Sequence, residues 1–122
     1  VLLAHLCRHV YSVERIRPLL ETARDAITAC RVTNVSLLCG DGTYGWPEFA
    51  PYDAILVGAG APRVPQPLVD QLAIGGRLIV PVGGREDQRL VEVTRSADGM
   101  MRRDLSAVRF VPLVGEHGWE TA

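Results

Sequence analysis

Glu14 closes an apolar, β-type run, His9-Val10-Tyr11-Ser12-Val13, and leads through Arg15-Ile16 into a helical stretch. A second such run, Val35-Ser36-Leu37-Leu38-Cys39, ends in Gly40-Asp41-Gly42-Thr43. In a parallel α/β sheet, ligands bind beyond the carboxyl ends of the strands. Both acidic residues would fall on that edge. Two carboxylates at the tips of neighbouring strands suit a ligand with a ribose diol and an adenine ring, because an ionised carboxylate offers two acceptor oxygens and no donor. Each residue also has a plainer reading. Glu14 could favour the next helix through its dipole, and Asp41 could bond its own backbone in a Gly-Asp-Gly turn.

The elements that must hold these residues follow from hydrophobic spacing. Leu2, Leu3 and Leu6 form a short helical stripe, and His9 to Val13 is the first strand. Pro18 fits the first turn of a helix, where its missing N–H costs nothing. Leu19, Leu20, Ala23, Ala26, Ile27 and Cys30 carry that helix to about Cys30. Val35 to Cys39 is a continuous apolar strand, as expected for one covered on both faces. After a loop from Gly42 to Pro51, Tyr52 to Val57 is the third strand. A short helix from about Gln66 to Leu72 stops at Gly75-Gly76. Arg77 to Val82 is the fourth strand, Arg89 to Arg95 the fifth, Ala97-Asp98-Gly99 a hairpin turn and Arg102 to Val111 the last. Strands alternating with helices demand a parallel sheet wrapped by helices, and the closing hairpin adds an antiparallel edge.

In that order these residues resemble the class I methyltransferases that use S-adenosylmethionine, and more narrowly the protein-L-isoaspartate O-methyltransferases. The matching blocks are Tyr11-Ser12-Val13-Glu14-Arg15, Gly40-Asp41-Gly42-Thr43, Pro51-Tyr52-Asp53-Ala54-Ile55, Gly75 to Gly83 and Arg109-Phe110-Val111-Pro112-Leu113. The Pro81-Val82-Gly83 strand end and the Phe-Val-Pro-Leu run are the more specific of them. The resemblance implies a Rossmann-like class I methyltransferase fold, α/β with a mostly parallel sheet. It implies that Glu14 binds the ribose hydroxyls of S-adenosylmethionine, Asp41 the exocyclic amine of adenine, and Gly42 a ring nitrogen through its backbone N–H. Gly42 would also let the backbone come close to the ring. The implied reaction is methylation of the free α-carboxyl of L-isoaspartyl residues in damaged proteins.

The same resemblance implies that residues 1–122 are one domain, incomplete at its amino end. The family's first strand and Gly-rich loop would lie upstream of Val1, that strand falling mid-sheet between the one ending at Glu14 and the one starting near Tyr52. The serine or threonine usually assigned as catalytic would lie further upstream, so no catalytic residue is expected here. Val114 stands where many members carry a threonine on the substrate side.

Other residue types narrow the chemistry. Gly58-Ala59-Gly60-Ala61-Pro62-Arg63 fails the dinucleotide fingerprint, since Arg63 occupies the third glycine position. No Asp/Asn-Pro-Pro-aromatic motif of the nucleic-acid N-methylating enzymes follows that strand. Small residues there suit a carboxylate acceptor, which is ionised at neutral pH and needs no general base. His5, His9 and His117 show no metal-ligand spacing, so no metal is expected. Cys7, Cys30 and Cys39 are odd in number and far apart, which predicts reduced, buried thiols in a cytoplasmic protein. With a net charge of −1 and no long like-charge run, nothing points to nucleic acid. No apolar run approaches the ~20 residues of a membrane span. Two alternatives share much of this pattern: a carboxylate O-methyltransferase acting on a peptide natural product, and a non-catalytic Rossmann-like fragment. Oligomeric state is not legible.

Overall fold

A computed structural model describes all of residues 1–122, which fall into two compact units, Val1–Gly42 and Thr43–Ala122. In the first, α1 (Leu2–Leu6) ends where Asn34 donates through Nδ2 to the carbonyls of Ala4 and Cys7 at 2.7 and 3.1 Å. This satisfies carbonyls that a helix end leaves without partners. Strand β1 (Val10–Glu14) pairs in parallel with β2 (Val35–Cys39), Val10 opposite Val35 and Glu14 opposite Cys39. Between them runs α2 (Arg17–Ala29), with Pro18 in its first turn as the sequence predicts.

The apolar stripe of α2 is only partly used. Leu20 is buried, Ala23 and Ile27 are half-buried, and Leu19, Ala26 and Cys30 are exposed. The buried face is therefore the narrow 20–23–27 line. Strand β2, expected to be covered on both faces, is half-buried and exposes Leu38. The thiols depart from expectation too. Cys7 and Cys30 are exposed and Cys39 is intermediate, because Cys7 and Cys30 each follow the last turn of a helix, where no second layer covers them.

The second unit holds nearly all of the core. Two short 3₁₀ turns, Gly42–Tyr44 (opening on the last residue of the first unit) and Pro47–Phe49, lead to β3 (Tyr52–Leu56). Helix α3 (Gln66–Asp70) then gives way to β4 (Leu72–Gly83), β5 (Gln88–Ser96) and β6 (Gly99–Val108). The sheet order is β3-β4-β5-β6, parallel across the first pair and antiparallel across the other two. Ala61, Leu68, Val69, Leu72, Leu78, Val80, Val91 and Val93 form one buried cluster.

Two boundaries differ from the sequence-based expectation, each for a visible reason. Gly75-Gly76 lies inside β4 and does not end the helix. The guanidinium of Arg95 spans this junction, donating to the carbonyls of Asp70, the last residue of α3, at 3.3 Å and of Leu72, the first of β4, at 2.9 Å. The last strand starts at Gly99, directly after the turn, and stops at Val108, short of Val111. Beyond it Gln88 binds both backbone groups of Phe110, accepting from its N–H at 2.8 Å and donating to its carbonyl at 3.3 Å. The chain is drawn off the ladder there.

Candidate functional site

The register of β1 and β2 fixes the first group of residues. Glu14 faces Cys39 across the pair, and Gly40 donates its N–H to the Glu14 carbonyl at 3.0 Å. Asp41 and Gly42 are the next residues, so all three candidates lie at one carboxyl edge of the parallel pair, each half-buried. The Glu14 side chain has a local partner as well: Oε1 accepts the N–H of Ile16 at 3.1 Å, at the residue that caps α2. That bond leaves further lone pairs on the carboxylate, which has about four acceptor sites.

Neither Gly40 nor Gly42 is demanded by the chain's own packing. A Cβ built on either meets nothing within 4 Å, and neither has a positive φ. The space beside Asp41 is therefore open to an approaching ring. A ribose–adenine ligand fits these donors and acceptors: carboxylates for hydroxyls and an amine, and an uncrowded backbone for a ring edge.

In the second unit, Thr43, which the sequence alone does not single out, is fully buried and accepts the N–H of His117 through Oγ1 at 3.1 Å. The aromatic residues of the following loop have packing partners. Tyr44 stands edge-on to His117 with ring centres 5.0 Å apart, and Trp46 edge-on to Phe49 at 5.4 Å. Tyr52 donates its hydroxyl to the Trp46 carbonyl.

The loop after β3 is stitched on both sides. Gly60 donates to the carbonyl of Val111 at 2.7 Å and accepts from Leu113 at 2.8 Å, while Ala61 donates to Pro81 at 2.9 Å and accepts from Gly83 at 3.0 Å. The indole of Trp119 also donates to the Gly60 carbonyl at 3.1 Å. The Pro81-Val82-Gly83 and Val111-Pro112-Leu113 segments are thus the two flanks of Gly60-Ala61. Gly58, at the mouth of this loop, is exposed and uncrowded.

Two carboxylates and two uncrowded glycines thus meet at the carboxyl edge of one parallel strand pair in an α/β chain. The protein-L-isoaspartate(D-aspartate) O-methyltransferase family matches residues 1–118, and the chain belongs to it. Relatives named protein-L-isoaspartate O-methyltransferase include one from Desulfotalea psychrophila, 51% identical over 98% of this chain and 56% of its own length. Another, from Geobacter metallireducens, is 52% identical with the same coverage. The chain spans about half the length of the curated relatives it matches. Among solved structures, a protein-L-isoaspartate O-methyltransferase superposes with a TM-score of 0.81 at 34% identity, over 90% of this chain and 35% of that one. A Plasmodium falciparum protein assigned to the same class, solved in complex with S-adenosyl-L-homocysteine, gives 0.76 at 30% identity, over 87% and 52%.

Proposed function

We propose that this chain supplies the cofactor side, and part of the acceptor side, of a protein-L-isoaspartate O-methyltransferase. The reaction transfers the methyl of S-adenosylmethionine to the free α-carboxyl of an L-isoaspartyl residue in a damaged protein. The observation that carries this reading is the pair Glu14 and Asp41, set by register at one strand edge beside uncrowded glycines, in a chain of this family. The bound S-adenosyl-L-homocysteine of the Plasmodium falciparum relative supports the choice of cofactor.

In this reading Glu14 accepts the ribose hydroxyls, Asp41 accepts from the exocyclic amine of adenine, and the Gly42 N–H meets a ring nitrogen. S-adenosylmethionine, when bound, supplies an electrophilic methyl group on a sulfonium. The acceptor carboxylate is ionised at neutral pH, so the protein need only hold it in line with the methyl group and exclude water. The stitched Gly60-Ala61 loop gives the acceptor side a fixed backbone for that task. No side chain of these residues is assigned a catalytic role. Residues 1–122 are read as one domain, and the cytoplasm as its compartment, on the strength of three unpaired thiols.

The test uses the gene's full product with methyl-labelled S-adenosylmethionine. An isoaspartyl peptide becomes labelled and the matching aspartyl peptide does not. Equal labelling of both, or labelling of DNA instead, rejects the reading.

A further inference from the structure

Gln88 is 4% exposed, a buried carboxamide at the start of β5. Its Nε2 faces the carbonyls of Gly84, Arg85 and Phe110 at 3.1, 3.3 and 3.3 Å, and its Oε1 accepts the Phe110 N–H at 2.8 Å. It therefore ties the β4–β5 turn to the segment that leaves β6. That segment's next residues, Val111 to Leu113, are the ones that flank Gly60. Gln88 also bears directly on Gly60: a Cβ built there would lie 2.6 Å from Nε2 and 2.7 Å from Oε1. Gly60 has no positive φ, so its lack of a side chain answers to this crowding and not to backbone conformation.

We propose that Gln88 is a positioning residue for the methyl acceptor, holding the loop after β3 in register with the closing segment by clasping Phe110 over Gly60. The proposal rests on the methyltransferase reading above, which puts the acceptor beside the Gly58–Ala61 loop. Gln88 touches neither reactant. It acts through Phe110 and Gly60, whose backbones set where Gly58 and Ala59 stand. Losing the carboxamide removes the side-chain partner of the Phe110 N–H and carbonyl, so the Val111–Leu113 flank is held to Gly60 by its backbone bonds alone.

The experiment is steady-state kinetics of the gene's full product with an isoaspartyl peptide and S-adenosylmethionine. Gln88→Leu is expected to raise the KM for the peptide about tenfold while the KM for S-adenosylmethionine stays within about twofold, the pattern of lost acceptor binding alone. Gly60→Ala, which crowds the carboxamide without removing it, gives the same split and serves where Gln88→Leu fails to fold. In the double variant Gly60→Ala/Gln88→Ala the clash has no partner, so it is no worse than Gln88→Ala alone; contacting residues give such non-additive results. Both KM values rising together, neither moving, or strictly additive losses would overturn the proposal. A wild-type protein that methylates no isoaspartyl peptide would instead bring down the methyltransferase reading, and the acceptor role with it.

Discussion

The carboxamide of Gln71 fills the volume that a side chain on Gly45 would need: a Cβ built on Gly45 lies 2.9 Å from its Cδ. Gly45 also has φ +66°, a conformation that favours glycine. From that position Gln71 accepts the Trp46 N–H at 3.0 Å and donates to the Tyr44 carbonyl at 2.7 Å. It closes the loop that follows Thr43 much as Gln88 closes the segment beside Gly60. Two buried glutamines thus hold two loops by their backbones.

Gln71→Ala is expected to destabilise the protein by about 2–3 kcal/mol, since it removes two hydrogen bonds and leaves a part-buried N–H and carbonyl unpaired. Gln71→Glu should be at least as costly at neutral pH. It can still accept from Trp46, but it turns a carboxylate oxygen against the Tyr44 carbonyl. Urea unfolding of the three proteins checks this. A loss below half a kcal/mol for both variants would mean the clasp contributes little.

These clasps were beyond the reach of sequence reading, and the reason is physical. Gln71 meets its partners 25 and 27 residues away, and Gln88 meets Phe110 22 residues away, so no local spacing marks them. What was legible is what local spacing controls. The apolar runs of β1 and β2, the Pro18 start of α2 and the turn at Ala97-Asp98 before Gly99 stand where hydrophobic period and turn chemistry place them. The misread boundaries are those set from outside the segment. Arg95 carries the chain from α3 directly into β4, and Gln88 ends the last strand early. Burial of the cysteines misled for a related reason, because amphipathic spacing says which face could be covered and not whether anything covers it. Glu14, Asp41 and Gly42 were legible as an edge constellation, and the register of β1 with β2 brings them together.

Glu14 has two duties that substitution can separate. Its Oε1 holds the Ile16 N–H at the start of α2, and its carboxylate is proposed to bind the ribose. In the gene's full product, Glu14→Ala is expected to weaken S-adenosylmethionine binding by roughly 2–3 kcal/mol, the scale of a lost charge-assisted pair of hydrogen bonds. Glu14→Gln keeps an acceptor for Ile16, so it should leave thermal stability near wild type while still losing affinity. Isothermal titration and melting curves distinguish the two duties. An Ala variant that binds within twofold of wild type would sink the ribose role.

The uneven core sets the last expectation. In the first unit only Ala4 and Leu20 are buried apolar residues, whereas the clustered core lies wholly in the second. Strands β1 and β2 pair only with each other, and a two-stranded sheet on its own is marginal in water. Their outer edges carry no charge before Glu14, so little discourages pairing with other chains. Strand β6, by contrast, bears Arg102, Arg103 and Asp104 along its length. Residues 1–122 expressed alone are therefore expected to exchange the amide hydrogens of 10–14 and 35–39 rapidly while those of 78–80, 82 and 90–94 stay protected, since local stability tracks buried apolar contact. The same material should aggregate readily and show no rise in melting temperature with micromolar S-adenosylmethionine, because Glu14, Asp41 and Gly42 all sit on the weakly packed unit. Uniform protection across both units, with a single cooperative transition that the cofactor raises, would show that the first unit is stable as it stands.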